Sequence, residues 1–203
     1  MPGPPTLKIN EVFSSIQGEG HWAGAAAVFV RFSGCNLSCH WCDTKYASEI
    51  KYRMSPRELF RKVLEHGPVH RVVLTGGEPT VQDELAMTRF VSLLVVKEIP
   101  VHVETNGTLF ALWLKLAQWV TVSPKKGSPV SSAVVAAASE LKLVYDEHTL
   151  SDLRVFESQY EGKELFLQPK SNLSEEICKC VQIVKNSPPW RLSIQLHKII
   201  GIR

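Results

Sequence analysis

The stretch AVFVRFSGCNLSCHWC, residues 27–42, decides the fold, because a strand pattern in it leads directly into a loop of cysteines. Its first six residues are mostly β-branched or aromatic, which predicts a buried strand over Ala27–Phe32. The loop then places Cys35, Cys39 and Cys42 in the spacing Cys-x3-Cys-x2-Cys. Three thiolates this close together favour an iron–sulfur cluster, and three ligands for a four-iron cluster leave one iron open.

The cysteine loop is also compatible with a metal other than iron. A zinc site would use His40 or Asp43 as its fourth ligand, but no second Cys-x2-Cys pair follows to complete a tetrahedron. The chain has five cysteines, an odd number, and a reducing compartment favours metal or cluster ligation over disulfides. Cys178 and Cys180 fall on different faces of a predicted helix, so we expect one packing cysteine and one bystander, and an extra redox role is the alternative.

Strand and helix patterns alternate along the rest of the chain. Further strands are predicted at Arg71–Thr75, Val101–Thr105, Trp119–Ser123, Glu140–Tyr145, Glu164–Gln168 and Arg191–Gln195. Helices are predicted after the capping box that begins at Ser55, and at Glu84–Lys97, Leu109–Gln118, Leu150–Gln159 and Ser174–Lys185. The alternation indicates parallel βαβ units in an α/β fold. Six or seven strands are too few for a closed barrel of eight, which leaves a partial, open β/α barrel or a doubly wound sheet.

The composition indicates one globular domain. The 203 residues are 44 % hydrophobic, and we expect a single domain over residues 1–203 with a flexible N-terminal segment at 1–8. A formal net charge of only +3 argues against charge-driven nucleic-acid binding. No apolar run reaches about 18 residues, so no membrane span is expected. The first residues lack the features of a signal peptide, so the expected location is cytoplasmic.

Polar and glycine residues recur where the predicted strands end. In both candidate arrangements, ligands bind where the carboxyl ends of the strands meet the loops. We therefore expect a ligand site along this edge of the sheet. The segments that would form it are Gly34-Cys35, Thr75-Gly76-Gly77-Glu78, Glu104-Thr105-Asn106, Ser123-Pro124-Lys125, Gln168-Pro169 and Gln195-Leu196-His197.

The strand, the cysteine spacing and the aromatic Trp41 before the third cysteine together resemble the radical S-adenosylmethionine (SAM) superfamily. The resemblance implies a partial, open β/α barrel of about six parallel strands, with a [4Fe–4S] cluster on the three cysteines of the loop. It also implies that the methionyl group of SAM binds the open iron. Gly76-Gly77-Glu78-Pro79 matches the motif for the methionyl amine, since glycine permits close backbone approach and a carboxylate accepts an ammonium. The SAM-binding residues implied are Trp41, Cys42, Asp43, Gly77, Glu78, Ser123, Pro124, Lys125, Gln168, Pro169, Lys170 and Ser171.

A set of further motifs extends from residue 9 to the end of the chain. They are Ile9–Gly20, Arg31, Cys42-Asp43-Thr44, Thr75–Pro79, Glu104–Thr108, Val122–Lys125 and Arg191–Lys198. In this order they resemble the 7-carboxy-7-deazaguanine synthase family. The resemblance implies a lyase that converts 6-carboxy-5,6,7,8-tetrahydropterin to 7-carboxy-7-deazaguanine with loss of ammonia, on the way to queuosine and other 7-deazapurines. It assigns the chemistry to the 5′-deoxyadenosyl radical rather than to a side-chain acid or base.

The same family resemblance assigns the remaining ligands and partners. Mg²⁺ would be held by Thr44, which suits a hydroxyl and a partly hydrated ion. The substrate-binding residues implied are Ile16, Gln17, Gly18, Arg31, Thr75, His197 and Arg203, the last through its terminal carboxylate. A homodimer and an external, flavodoxin-like one-electron reductant are also implied.

For Arg31, the alternation of side chains along a strand gives a separate argument for substrate binding. Period-two alternation places Phe29 and Arg31 on one face of the first predicted strand and Val28 and Val30 on the other. In the interior of a barrel the guanidinium needs an anion, and its planar fork suits the substrate carboxylate. Glu104 would either orient one of the ligands or only end its strand.

Two other functions are the alternatives. A small activating enzyme that installs a glycyl radical on a partner protein would share the cysteine loop, but would lack Gln17-Gly18-Glu19-Gly20. A non-catalytic metal-binding module would need no second ligand site, and Gly76-Gly77-Glu78-Pro79 and Ser123-Pro124-Lys125 speak against it.

Overall fold

The computed structural model describes residues 4–39, 42, 49–145, 150–170 and 172–202. The strands are β1 Leu7–Ile16, β2 Ala26–Phe32, β3 Tyr52–Met54, β4 Val72–Gly76, β5 Val101–Thr105, β6 Trp119–Val122, β7 Glu140–Val144, β8 Glu164–Gln168 and β9 Trp190–Leu192. The helices are α1 Pro56–Leu64, α2 Glu84–Val96, α3 Ser132–Ala137, α4 Leu150–Gln159, α5 Ser174–Asn186 and α6 Leu196–Ile199, with short 3-10 turns at Pro79–Val81 and Leu112–Leu116. The chain divides into two compact units, each with its own part of the strands.

Unit 1 comprises residues 1–15, 26–105 and 109–119 and contains the cysteine loop. Its strands follow the order β3-β1-β2-β4-β5, in which β3 is antiparallel to β1 and the β2, β4 and β5 strands are parallel. Val30, Leu74 and Val103 are register neighbours and are fully buried, and α2 packs on β5 and on α1. One face of these strands is therefore a continuous apolar layer, as expected for parallel strands covered by helices.

Helix α1 begins as its sequence predicts. The Ser55 hydroxyl accepts a hydrogen bond from the Glu58 N–H at 3.4 Å, and the Ser55 N–H donates to the Glu58 carboxylate at 2.7 Å. This reciprocal pair satisfies two amides that the first turn leaves without a helical partner. Leu59 and Val63 then lie on the buried face of the helix.

Unit 2 comprises residues 16–25, 106–108 and 120–203. Its strands follow the order β6-β7-β8-β9 and all are parallel. On one face Leu141 and Leu165 are register neighbours in the apolar core. The alternate residues put Glu140, Lys142 and Gln168 on the opposite face, where all three are nevertheless buried. This face therefore needs internal partners for its charges.

The predicted α/β class with an open, mostly parallel sheet is confirmed. Within the described residues, three strands of unit 1 and four strands of unit 2 run parallel, where about six were predicted. β3 is an edge strand of unit 1, and β9 is an edge strand of unit 2. β1 begins at Leu7, which is fully buried, so it overlaps the N-terminal segment predicted to be flexible. The single-domain prediction for residues 1–203 stays a prediction.

The helix predicted over Leu109–Gln118 is wrong, because only the 3-10 turn Leu112–Leu116 forms there. Its N-cap position is Ala111, which offers no side chain to cap a helix, and β6 begins at Trp119 before a longer helix could finish. Trp113 and Leu114 are buried without a full helical stripe.

The predicted last strand, Arg191–Gln195, is also shifted: β9 ends at Leu192, and the buried side chains of Ser193 and Gln195 make hydrogen bonds instead. Of the two C-terminal cysteines, Cys180 is buried, as expected for a packing residue, and Cys178 is exposed. Within the described part of the chain, no helix is long and apolar enough to cross a membrane.

Candidate functional site

The cysteine loop follows β2 directly. The Leu37 N–H donates to the Cys35 sulfur at 3.4 Å, and the Cys42 N–H donates to the Cys39 carbonyl at 3.2 Å. The Cys35 residue is exposed overall, yet partial burial of its thiol raises the pKa, and the charges of Glu78 and Cys42 act in the same direction. Among the described residues there is no group of three metal-ligating side chains already placed to hold one metal ion.

The Gly-Gly-Glu motif docks on this loop through its backbone. The Gly77 N–H donates to the Phe32 carbonyl at 2.9 Å, and the Glu78 N–H donates to the Gly34 carbonyl at 2.8 Å. A β-carbon on Gly77 would lie 1.9 Å from the Gly34 oxygen, and one on Gly76 would lie 2.5 Å from the backbone of Phe32. Gly76 also has φ +110°, which side chains rarely adopt. Both glycines are therefore required for the close approach.

Glu78 is held in one orientation. It is 1 % exposed, and its Oε1 accepts hydrogen bonds from the Thr80 N–H at 3.1 Å, the Thr80 hydroxyl at 2.8 Å and the Thr105 hydroxyl at 2.7 Å. Such a set of donors compensates the burial of a carboxylate. The sequence pattern did not single out Thr80 or Thr105 as partners of Glu78, although Thr105 follows Glu104 directly at the end of a predicted strand.

Arg31 and Thr75 are register neighbours on the face of unit 1 opposite the helices. The Thr75 hydroxyl donates to Glu104 Oε2 at 2.9 Å. Arg31 forms an ion pair with Glu11 on β1, and its guanidinium lies 5.2 Å from the centre of the Phe13 ring. The anion that a buried guanidinium needs is therefore present in the chain itself, and one quarter of the Arg31 side chain stays exposed. Glu11 lies within the motif Ile9–Gly20, but its pairing with Arg31 was missed, because the two residues are on different strands and no spacing links them.

The segment that follows β1 in unit 2 brings Gln17, Gly18 and His197 together. Gln17 is buried, and its side-chain oxygen accepts from the N–H groups of Gly18 at 2.8 Å and Glu19 at 3.3 Å. Gly18 lies against the His197 ring, since a β-carbon there would lie 2.1 Å from His197 Nδ1. The Leu196 N–H also donates to the Gly18 carbonyl at 3.0 Å. His197 is half-exposed and so is not a core histidine.

The described residues of the two loops predicted to bind SAM in unit 2 also make hydrogen bonds within that unit. Lys125 donates to the Ser123 hydroxyl at 2.8 Å, and a cavity of about 540 Å³ is lined by Pro124, Lys125 and residues of α3 and α4. Gln168 is buried, and its side-chain oxygen accepts from the Ser193 hydroxyl at 3.0 Å. Pro169 is buried and Lys170 is half-buried beside it. Five predicted site residues lie outside the described residues: Trp41, Asp43, Thr44, Ser171 and Arg203.

Three comparisons with known proteins fit this geometry. The family described as the Radical SAM superfamily matches residues 29–136. The 7-carboxy-7-deazaguanine synthase of Bacteroides thetaiotaomicron is 38 % identical to this chain, and the match covers 97 % of this chain and 98 % of the relative. The 7-carboxy-7-deazaguanine synthase of Haemophilus influenzae is 34 % identical, and the match covers 98 % of this chain and 95 % of the relative. The chain belongs to the 7-carboxy-7-deazaguanine synthase family. The crystal structure of QueE from Escherichia coli has a TM-score of 0.77 at 29 % identity, covering 95 % of each chain.

Membership in this family of radical SAM enzymes brings a [4Fe–4S] cluster and SAM with it. The donor set of the loop fits such a cluster, because burial and the charges of Glu78 and Cys42 raise the pKa of Cys35, and a cationic iron–sulfur group would offset this cost of the thiolate. Cys35, Cys39 and Cys42 remain the predicted ligands. The family also explains why the Gly-Gly-Glu backbone lies against the cysteine loop, since one ligand would have to contact both.

Proposed function

We propose that this chain converts 6-carboxy-5,6,7,8-tetrahydropterin to 7-carboxy-7-deazaguanine with loss of ammonia, in 7-deazapurine biosynthesis. The observation that carries the proposal is the docking of Gly77 and Glu78 on the carbonyl groups of Phe32 and Gly34. It joins the cysteine loop to the motif for the methionyl amine, within a chain that resembles these synthases over nearly its whole length. A metal-binding module without catalysis has no use for this second element.

The cofactor residues follow from the family and from the contacts. Cys35, Cys39 and Cys42 hold the cluster as thiolates. Gly77 and the oriented carboxylate of Glu78 bind the methionyl amine of SAM. When bound, the cluster and SAM supply a 5′-deoxyadenosyl radical that removes a hydrogen atom from the substrate. The remaining SAM contacts proposed are Trp41, Cys42, Asp43, Ser123, Pro124, Lys125, Gln168, Pro169, Lys170 and Ser171.

The substrate residues act by binding and orientation. Arg31 binds the pterin carboxylate, which then shares or replaces the ion pair with Glu11. Because the Thr75 hydroxyl gives its hydrogen to Glu104, its oxygen is left as an acceptor for an N–H of the pterin. Ile16, Gln17 and Gly18 meet the edge of the pterin ring, and His197 and Arg203 cover it.

Further parts of the proposal concern the metal ion and the partners. Thr44 would hold Mg²⁺, a partly hydrated ion that would help to bind the substrate carboxylate. The chain works as a homodimer with an external, flavodoxin-like one-electron reductant. Its place is the cytoplasm, where a reducing environment preserves the thiols. It has no nucleic-acid or membrane partner.

The test is an anaerobic assay of the reconstituted protein with dithionite, SAM and the pterin, read by mass spectrometry for 7-carboxy-7-deazaguanine. Omitting Mg²⁺ should lower the rate. Formation of 5′-deoxyadenosine from SAM without any deazapurine would leave a radical SAM enzyme with a different substrate, such as a partner protein. A protein that takes up iron and sulfide but never cleaves SAM would contradict the enzyme assignment itself.

A further inference from the structure

A buried ion pair in unit 2 has no part in the function described so far. Lys142 on β7 pairs with the carboxylate of Glu19, and their side chains are only 7 % and 13 % exposed. Placing a lysine in such a position removes it from water, and this is tolerated only when its partner is well held. A fold alone could fill the position with an apolar side chain, as it does at Val144 and Phe166 on the same face of unit 2.

Glu19 is held from a second side by Gln195. Gln195 is 3 % exposed and donates from Nε2 to Glu19 Oε1 at 2.9 Å, while its own oxygen accepts from Lys198 at 2.8 Å. Both ends of the amide are thus fixed by a charged group, which determines its orientation. We call Glu19, Lys142 and Gln195 the Glu19 joint.

The joint connects two segments that carry proposed substrate contacts. Glu19 follows Gln17 and Gly18, while Gln195 precedes His197 by two residues. The backbone supports the same connection, because the Leu196 N–H donates to the Gly18 carbonyl at 3.0 Å. A displacement of Glu19 would therefore move the Gly18 backbone away from the His197 ring.

We propose that Lys142 is a positioning residue for the pterin: through Glu19 and Gln195 it fixes the Gln17-Gly18 backbone relative to His197. This rests on the proposed function. Lys142 itself touches no substrate, since its charge is used by Glu19. Loss of its charge should weaken pterin binding and leave SAM binding unchanged, because the joint contains none of the residues assigned to SAM.

The experiment compares four variants with the wild type: Lys142→Met, Lys142→Arg, the double variant Glu19→Gln/Lys142→Met, and Arg191→Met. Arg191 is the matched control, since it pairs with Glu164 at 2.7 Å on the same face of unit 2 but lies outside the joint. The measurements are the pterin KM and kcat, the equilibrium binding of pterin and of SAM, the melting temperature, and amide hydrogen exchange at Leu196 and Gly20. The Gly20 amide reports on the same connection, because it donates to the Ser193 hydroxyl at 3.0 Å.

Lys142→Met should lower kcat/KM for pterin by about 100-fold, the effect of a small misplacement of binding groups, mostly through KM. Exchange at Leu196 should become faster, and Lys142→Arg should recover part of both losses. The double variant removes both charges, so its melting temperature should return toward that of the wild type. Its pterin KM should stay high, and Arg191→Met should change neither ligand's binding.

Recovery of pterin affinity together with stability in the double variant would overturn the proposal, because the pair would then serve only folding. An unchanged pterin KM in Lys142→Met, or an equal loss of pterin and SAM affinity, would overturn it too. Failure of the proposed function is visible separately, in a wild type that neither binds nor converts the pterin.

Discussion

The two units hold their predicted ligand-binding residues in different ways. In unit 1 the cysteine loop and the Gly-Gly-Glu motif meet through main-chain hydrogen bonds, and Gly77 leaves no room for a side chain. In unit 2 the segment after β1 is held by side chains, above all by the pair of Glu19 with Lys142. Unit 1 should therefore be sensitive to added volume, and unit 2 to the loss of a charge or a hydrogen bond.

The largest effect is expected from Cys39→Ala, which should abolish product formation and leave a folded protein. Two thiolates rarely hold a four-iron cluster, and the loop is not part of the apolar core of unit 1. Circular dichroism checks the fold, and the iron content with anaerobic turnover checks the site. Cys178→Ala is the control, because this exposed cysteine lies on α5 and should be dispensable. Full turnover by Cys39→Ala would refute the cluster assignment.

Arg31→Met should weaken pterin binding by about 2–5 kcal/mol, the range for removing one partner of a buried charge pair, and Arg31→Lys should fall between it and the wild type. SAM affinity should hardly move. Equilibrium binding of both ligands to each variant checks this.

Glu11→Gln sharpens the Arg31 test, because it removes the internal partner of the guanidinium. If the substrate carboxylate competes with Glu11, the pterin should bind this variant more tightly than the wild type. Weaker pterin binding by Glu11→Gln would show instead that Glu11 belongs to the site. A loss of SAM affinity in Arg31→Met would show that Arg31 binds SAM rather than the pterin.

The sequence could predict contiguous motifs in both units, but not the side-chain pairs between distant residues. The cysteine spacing and Gly76–Pro79 are short contiguous motifs whose residue types indicate the ligands they bind. The alternation of strands and helices was predicted from the hydrophobic periodicity. The Glu19–Lys142 pair joins positions more than a hundred residues apart, which the register of β7 and the path of the chain bring together. No short sequence spacing predicts such a pair. The pairing of Arg31 with Glu11 could not be predicted for the same reason.

Gly77→Ala tests the sensitivity of unit 1 to added volume. The added β-carbon would lie 1.9 Å from a backbone oxygen of Gly34, so the loop has to shift, at a cost of about 1–3 kcal/mol in unfolding free energy. SAM binding should fall with it. Gly67→Ala is the control in the same unit, since it has φ +85° but nothing within 4 Å, so it should lose about 1 kcal/mol of stability and no SAM affinity. Equal SAM affinity in both variants would contradict a role of the docked backbone in SAM binding.

Gly18→Ala is the corresponding change in unit 2, and a smaller effect is expected. Its β-carbon would meet the His197 ring, a side chain that can rotate away, rather than a fixed carbonyl. The fold should persist, while the pterin KM rises about tenfold, or roughly 1.4 kcal/mol, as His197 is displaced. Gly24→Ala is the comparison without a clash: it has no atom near its β-carbon but φ +90°, so it should lose stability through backbone strain and leave the pterin KM unchanged. If the melting temperature of Gly18→Ala fell as far as that of Gly77→Ala, unit 1 would not be more sensitive to added volume than unit 2.

The smallest effect is expected where a polar group of unit 2 has no partner. The Tyr160 hydroxyl is buried without a hydrogen bond among the described residues, and burial raises the pKa of this phenol. Tyr160→Phe keeps the ring near Phe156, 6.2 Å between centroids, and removes only the desolvated hydroxyl, so stability should be unchanged or higher by up to about 1 kcal/mol.

Ser193→Ala is the matched deletion of a hydroxyl that is paired, since Ser193 accepts from the Gly20 N–H and donates to Gln168, each at 3.0 Å. It should lose about 1–3 kcal/mol, because two buried polar groups lose their partner at once. Urea unfolding of the two variants measures both free energies on one scale. If the polar groups of unit 2 stabilise the fold through their partners and not through burial itself, the two shifts should be opposite or clearly unequal. Equal losses in Tyr160→Phe and Ser193→Ala would mean that the pairing seen around Gly20 contributes nothing specific.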